Sequence, residues 1–210
     1  MTERAASRYH GAMTETDFHA DQAQRDPQHF AVLYERLAPA LHAWSQFRLH
    51  GRLRKTVDPE DIVQEVWWRA LDAFARFEAR TPGAFRAWIF SIATNVFREF
   101  SRRGAGPRAD HGAGGLPKQV NTLPPELRAQ VTSISESLGR DERTQKLVAS
   151  IATLDRDDQR LVLFMGLEGL PAKDAAPLLK LEAETAKKRW QRLRQSFADS
   201  PAWRGLLDGE

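Results

Sequence analysis

The sequence predicts an all-α protein built from two small helical domains joined by a flexible linker. Apolar side chains recur every three or four residues in two blocks, roughly residues 27–103 and 126–198, and this spacing is typical of helices with one buried face. No segment shows the alternation of a half-buried strand, and no internal repeat is present. Between the blocks, residues 104–125 are rich in glycine and proline and hold few large apolar side chains, which is typical of a tether.

These patterns divide the chain into five predicted segments. They are an N-terminal extension (1–26), a helical domain (27–103), a Gly/Pro-rich linker (104–140), a helix-turn-helix domain (141–199) and a C-terminal tail (200–210). The sequence does not decide whether the extension is ordered or what the tail contacts.

Composition excludes several classes of protein. Lys and Arg number 31 against 28 Asp and Glu, giving a formal charge of only +3, so binding to nucleic acid would depend on local clusters of cations. The absence of cysteine excludes disulfides and thiolate-ligated metals. No apolar run approaches the length of a membrane span or the core of a signal peptide. We therefore expect a cytoplasmic protein that reaches the membrane or nucleoid only through partners.

A helix beginning near Asp58 carries the first candidate surface. Asp58 can cap this helix and Pro59 suits its first position. Acids at 60 and 61 interact favourably with the positive end of the helix dipole. The face opposite its apolar stripe holds Asp61, Gln64, Glu65, Trp68 and Asp72. An exposed Trp among carboxylates predicts a binding surface for a basic partner. The alternative is a solvated face with Glu65–Arg69 and Asp72–Arg76 pairs.

The next two candidate surfaces offer polar and cationic groups. A helix starting at Thr81-Pro82-Gly83 has an outward face of Ala87, Ser91, Thr94, Asn95, Arg98 and Arg102, which suits a phosphate backbone or a base edge. Near the C-terminus, a short apolar helix and a tight step precede a basic helix. Its buried stripe is Ala186, Trp190, Leu193 and Phe197, and its other side holds Lys187, Lys188, Gln191 and Arg192. This pattern fits a major-groove reader, although an ordinary surface helix looks similar.

Three motifs together resemble the sigma-70 family of bacterial RNA polymerase sigma factors. The stretches DPEDIVQEV at 58–66 and FRAWIFSIATN at 85–95 resemble sigma region 2. LDRDDQRLVL at 154–163, leading into the helix-turn-helix, resembles region 4. The order of the regions and the linker between them are similar to the extracytoplasmic-function (ECF) group, which keeps only these two regions. The resemblance covers roughly residues 27–198.

The resemblance implies a promoter-specificity subunit of RNA polymerase. Asp61, Gln64, Glu65 and Trp68 would bind the β′ clamp coiled coil of core polymerase, and region 4 would bind the β flap. The loop 78–83, with Arg80, would capture a flipped base near −10, while Asn95, Arg98 and Arg102 would hold the non-template strand or its upstream duplex edge. Thr185, Lys187, Lys188, Gln191 and Arg192 would read the −35 duplex. An anti-sigma factor is a further expected partner, and neither a cofactor nor a metal is expected.

The helix-turn-helix departs from the family pattern at three positions. Lys180 stands where the turn usually carries glycine, and Glu182 stands where serine often caps the second helix. Pro177 lies inside the first helix, which we therefore expect to be short or bent. These departures affect the predicted −35 contacts.

Two other functions fit parts of the sequence. A helix-turn-helix regulator that never joins polymerase would explain the C-terminal block but leave the acidic face without a role. A metal-dependent nuclease could use Asp58, Glu60, Asp61 and Glu65, but metal catalysis needs carboxylates that converge on one concave site. Here the acids lie at a helix start and along its outer face, where the helix dipole explains them.

Overall fold

The computed structural model describes residues 14–26, 28–103, 125–198, 200 and 202–203. Every regular element within these residues is helical, which confirms the predicted fold class. The α-helices are α1 (Glu15–Ala23), α2 (Gln28–Arg48), α3 (Pro59–Ala73), α4 (Ala84–Arg103), α5 (Pro125–Ser137), α6 (Glu142–Ala152), α7 (Arg156–Leu161), α8 (Ala172–Leu179) and α9 (Ala183–Phe197). A π-helical segment, Val162–Leu167, continues α7, and short 3-10 turns follow α3 and α5.

The long helix α2 lies at the centre of the structure. Between residues 37 and 45 its side chains are buried around the whole circumference, and Leu33, Tyr34, Leu41 and Trp44 are fully inaccessible to solvent. Helices α1, α3 and α4, which belong to the N-terminal half of the chain, pack on it. Helices α5 and α6 and the π-helical segment, which belong to the C-terminal half, also pack on it. Pro39 lies inside α2 without ending it.

An aromatic cluster joins α2, α3 and α4 into the N-terminal bundle. The Trp67 ring lies 4.6 Å from the Tyr34 ring, 5.4 Å from Phe30 and 6.4 Å from Phe85, measured between centroids. The start of α3 follows the sequence prediction, because Pro59 is its first residue and the Asp58 amide donates a 2.9 Å hydrogen bond to the Asp61 carboxylate. The helix therefore begins where its local residues favour it.

One part of the predicted domain organisation needs correction, and one part that the sequence left open is described by the structure. Residues 125–140, assigned to the flexible linker, form α5 and a 3-10 turn that pack on α2 and α3. The Tyr34 hydroxyl donates to the Val131 carbonyl at 3.1 Å and hydrogen-bonds with Ser135, and burial raises the pKa of Tyr34 well above its ordinary value. Residues 15–23 of the N-terminal extension form α1. Residues 104–124, and most of the predicted tail, lie outside the described residues.

Helices α6 to α9 form the C-terminal bundle. Asp155 caps α7 by accepting from the amides of Asp157 and Asp158 at 2.9 and 2.8 Å. The π-helical segment brings Gly166 against Trp190 of α9, where an added Cβ would lie 2.6 Å from the indole ring. A larger residue at this position would force the two elements apart.

Buried polar contacts hold the two bundles against each other. Glu168 is only 9% exposed, and its carboxylate accepts a 2.7 Å hydrogen bond from the Trp44 indole and pairs with Arg48. The Arg48 guanidinium lies 5.1 Å from the ring centroids of both Trp44 and Phe164. Because these groups are removed from water, each depends on its partner across the contact.

Arg86 of α4 makes a second polar contact between the bundles. Its guanidinium donates to the carbonyls of Gly166 and Leu167, the latter at 3.0 Å. These carbonyls end the π-helical segment, where a cation is favourable. Desolvation lowers the pKa of Arg86 to about 10, so the side chain stays cationic at neutral pH.

Replacing Glu168 with alanine tests the contact between the bundles. We expect Glu168→Ala to lower the free energy of unfolding by about 2–3 kcal/mol, because Arg48 and the Trp44 indole lose a buried acceptor. Urea denaturation followed by circular dichroism measures the change. The matched control is Glu142→Ala, which removes an 81% exposed carboxylate that pairs with Lys146 within α6 and should cost below about 0.5 kcal/mol. Equal losses for both variants would contradict the prediction.

Candidate functional site

The acidic face of α3 is only partly exposed. Asp61 is exposed, while Gln64 and Glu65 are half-buried. The Gln64 side chain donates a 3.3 Å hydrogen bond to the Thr132 hydroxyl of α5. Glu65 accepts from Arg69 at 2.8 Å. This face therefore combines an exposed carboxylate, which caps the start of its own helix, with two half-buried side chains that also have partners.

Arg69 is held in place by carboxylates of two helices. Besides Glu65, it donates to both oxygens of Glu99 on α4 at 2.8 Å each. The hydrogen bonds to Glu99 raise the pKa of Arg69 above its ordinary value. This bidentate pair fixes the spacing between α3 and α4, which form the walls of the groove described below.

The expectation that Trp68 is exposed is wrong. Trp68 is 4% exposed, and its indole nitrogen has no hydrogen-bond partner among the described residues. Trp68 lies four residues after Gln64 and therefore on the same side of α3, the side on which α5 packs. Residues 125–137 fall in the predicted linker, so no helix was expected to cover this side of α3.

A groove of about 940 Å³ runs between α3 and α4. It brings together three of the four residues predicted to hold −10 DNA, Asn95, Arg98 and Arg102, all of which are exposed. The half-buried Trp88 and Arg69 also line it. Cations, an amide and an aromatic ring in one open groove suit a single nucleic-acid strand.

The loop 78–83 adjoins a second, smaller hollow of about 350 Å³. Arg80, the fourth predicted −10 residue, lines it together with Phe77 and Trp88. The Arg80 side chain is 82% exposed and pairs with Glu78 at 2.9 Å. Trp88 lies on the wall of both hollows, so the groove and the loop adjoin, although Arg80 does not line the groove itself.

The outward face of α9 carries all five residues predicted to read −35 DNA. Thr185, Lys187, Lys188, Gln191 and Arg192 are exposed. Ala186, Trp190 and Phe197 are buried on the opposite side, as their spacing predicts. The position of α9 is secured by Arg189, which pairs with Asp158 and lies 3.2 Å from the Asp155 carboxylate. Hydrogen bonding to Asp158 raises the pKa of Arg189.

The turn before α9 follows a regular helix-stop pattern despite its unusual residues. Helix α8 is only eight residues long and contains Pro177 near its end, as expected. Lys180 adopts a left-handed conformation with φ of 58°. Its amide bonds to the Pro177 carbonyl at 3.3 Å and the Leu181 amide to the Ala176 carbonyl at 3.0 Å, which is a Schellman motif. Glu182 begins α9 without a side-chain capping bond.

The chain is similar to members of one known family. Residues 33–106, which include α3, the loop and α4, match the family model for sigma-70 region 2. The relatives of the chain include ECF RNA polymerase sigma factors, in agreement with the ECF group to which the motifs pointed.

Three relatives show the extent of the similarity. SigE of Mycolicibacterium smegmatis is 28% identical over 160 residues, 75% of this chain and 58% of that protein. EcfG of Rhodopseudomonas palustris is 25% identical over 140 residues, 66% and 68% of the two chains. SigC of Mycobacterium tuberculosis is 27% identical over 139 residues, 66% and 67%. The matched part thus spans less than two thirds of SigE. No solved structure matches the chain at comparable significance.

Within residues 14–26, 28–103 and 125–198, no helix is long and apolar enough to cross a membrane. The same part of the chain holds no cluster of three or more metal-ligating side chains.

Several side chains that position sigma region 2 gave no signal in the sequence. Glu99 fixes Arg69, Arg86 binds the π-helical segment, and Asp17 accepts from the amides of Gly83 and Phe85. Each partner lies at least 30 residues away. Local spacing therefore cannot indicate these contacts, whereas the groups that face solvent follow from helical periodicity.

Replacing Lys180 with glycine tests the turn between α8 and α9. We expect Lys180→Gly to raise the free energy of unfolding by about 1 kcal/mol, because glycine adopts the left-handed conformation without steric cost. Lys187→Gly is the matched control, since an exposed position inside α9 should lose about 1 kcal/mol. Urea denaturation compares the two. If Lys180→Gly instead lowers the free energy of unfolding, the lysine side chain stabilises the turn by more than its left-handed conformation costs.

Proposed function

We propose that the chain is an ECF-type RNA polymerase sigma factor, acting as a specificity subunit without a catalytic site of its own. It binds core polymerase through α3, opens promoter DNA near −10 with region 2 and reads the −35 duplex with α9. The observation that carries the proposal is the groove holding Asn95, Arg98 and Arg102 inside the segment that matches region 2. The similarity to proteins named RNA polymerase sigma factors supports it.

Core polymerase is proposed to bind the α3 surface of Asp61, Gln64 and Glu65. Acidic and amide groups there complement a basic partner, for which the β′ clamp coiled coil is the expected element. Trp68 is excluded as a direct contact because it is buried. Gln64 must exchange its bond to Thr132 for one to polymerase. Region 4 is proposed to bind the β flap.

Charge reversal on α3 tests the polymerase surface. We expect the double variant Asp61→Arg, Glu65→Arg to bind core polymerase at least about 30-fold more weakly, because reversing interfacial charges costs about 2 kcal/mol or more. Binding is measured by fluorescence anisotropy with labelled sigma and purified core, after circular dichroism has checked the fold. The control Glu142→Arg changes an exposed acid on α6 and should bind normally. Unchanged affinity of the double variant would remove this surface from the proposal.

Promoter opening is assigned to the groove and the loop. Extruding a base costs a few kcal/mol, and contacts to the single strand must offset this cost. Asn95, Arg98 and Arg102 would supply hydrogen bonds and positive charge along the strand. The loop 78–83, including Arg80, would accept the flipped base beside Phe77 and Trp88, which line the hollow there.

The exposed face of α9 is proposed to read the −35 duplex. Its lysines, arginine, threonine and glutamine can contact phosphates and base edges in the major groove. The buried Trp190 and the Arg189 ion pairs hold α9 firmly on the bundle beneath it, which supports a rigid reading helix.

Truncation of two α9 side chains tests the reading face. We expect Lys188→Ala, Arg192→Ala to weaken binding to −35 duplex by at least about tenfold, as each base or phosphate contact contributes about 1–3 kcal/mol. The affinity for core should not change. Lys146→Ala on α6, which removes an exposed lysine paired with Glu142, is the control. Electrophoretic mobility shifts at fixed salt compare the duplex affinity of the double variant with that of the control. Equal binding by the double variant would move the reading contact elsewhere.

The proposal as a whole is tested by transcription. Purified core polymerase is supplied with a pool of genomic promoter fragments, with and without the chain. New discrete transcripts would establish a sigma factor and identify its promoter. Failure to bind core, together with retained duplex binding, would favour a helix-turn-helix regulator that works without polymerase.

Control by an anti-sigma factor and a cytoplasmic location complete the proposal. An inhibitor of this kind would cover the acidic α3 surface and the basic α9 face, which are the two surfaces that the sigma function requires. Co-purification from cells that express a tagged chain tests for such a partner.

A further inference from the structure

Helix α1 lies ahead of the segment that matches region 2 yet packs on α2 and α4. Thr14 caps it by accepting from the Asp17 amide at 3.1 Å, and the same hydroxyl donates to the Asp17 carboxylate at 2.7 Å. Ala20 and Ala23 are buried against the rest of the bundle. These contacts fix the helix and aim the Asp17 side chain.

Asp17 caps α4 from a distant part of the chain. The side chain is 1% exposed, and its two oxygens accept from the Gly83 amide at 2.6 Å and from the Phe85 amide at 3.0 Å. Amides in the first turn of a helix have no intrahelical acceptor, and a carboxylate there is favoured by the dipole. Gly83 has a φ of 75°, so the chain turns sharply at the junction between the loop and α4.

The other end of the loop 78–83 is held by the residue that follows α1. The Gln24 side-chain amide donates to the Phe77 carbonyl at 2.5 Å. Phe77 directly precedes the loop, and its ring lies 4.9 Å from that of Trp88. Helix α1 and the residue that follows it thus supply hydrogen bonds to both ends of the loop, while the Arg80 side chain in its middle stays exposed.

We propose that α1 is a positioning element for base capture: Asp17 and Gln24 hold the two ends of the loop 78–83 so that its exposed residues meet an unpaired base in one conformation. This inference rests on the proposed function, in which the loop receives the flipped base. A loop ordered before binding loses less conformational entropy on binding. Asp17 and Gln24 are positioning residues, because they act through the loop backbone.

The free, full-length protein provides a first readout. In Asp17→Ala the amides of Gly83 and Phe85 lose their acceptor, so hydrogen exchange at these residues should accelerate at least about tenfold. Tryptic cleavage after Arg80 should accelerate with it. Exchange in α3 and α9 should not change. Asp17→Asn keeps one carbonyl oxygen and should give an intermediate rate, as expected for partial rescue. The control is Asp21→Ala, which removes a carboxylate on the same helix that pairs with the exposed Arg25.

Base selection by the holoenzyme provides the deciding readout. Core polymerase loaded with each variant is used to select from random single-stranded DNA of about 12 nucleotides. Wild type and Asp21→Ala should enrich one base at the captured position. Asp17→Ala and Gln24→Ala should reduce this enrichment at least about tenfold, with core affinity within about twofold of wild type.

The outcomes separate failure of the inference from failure of the proposed function. If wild type shows no base preference, the loop does not capture a base and the inference falls with that role. If wild type selects a base and both variants select it equally well, the inference alone is overturned. Loss of selection together with accelerated exchange at Gly83 and Phe85 supports it, while loss of core binding in Asp17→Ala would assign the residue a general structural role instead.

Discussion

The need to cover α2 on all sides determines how the rest of the chain is arranged. A helix that is apolar around its whole circumference is stable only when it is surrounded by other elements. Helices α1, α3 and α4 leave one side of α2 open, and α5, α6 and the π-helical segment fill it. Separating the bundles would expose Tyr34 and Trp44, two large aromatic side chains that are fully buried. The contact is therefore part of the core.

Polar groups on α2 make this coverage specific. The Tyr34 hydroxyl and the Trp44 indole point away from the N-terminal bundle and find acceptors in Val131 of α5 and in Glu168. A buried donor without an acceptor costs free energy, so these bonds select one register between the bundles. The same arrangement lays α5 beside Gln64, so a partner that binds the acidic face of α3 competes with α5 for this residue.

What the sequence could predict depends on the range of the interactions involved. The start of α3 and the exposed face of α9 follow from neighbouring residues, and both agree with the structure. The position of the turn at Lys180 followed from the family resemblance, but its left-handed conformation was not predicted. The burial of Trp68 was not predicted, because residues 125–140, which form α5 and the 3-10 turn after it, were placed in the predicted linker. The hydrogen bonds of Asp17 and Arg86 join residues at least 66 positions apart, so no local sequence pattern indicates them.

The start of α4 is where these long-range contacts converge. Asp17 of α1 binds the amides of Gly83 and Phe85, and the neighbouring Arg86 binds carbonyls of the C-terminal bundle. A helix rises 1.5 Å per residue, so Arg98 lies about 18 Å further along the same rigid rod. Because a helix transmits the orientation of its first turn along its length, contacts at residues 83–86 determine where Asn95 and Arg98 stand in the groove. Residues remote in sequence thus set the geometry of the groove that is proposed to bind DNA, without lining it.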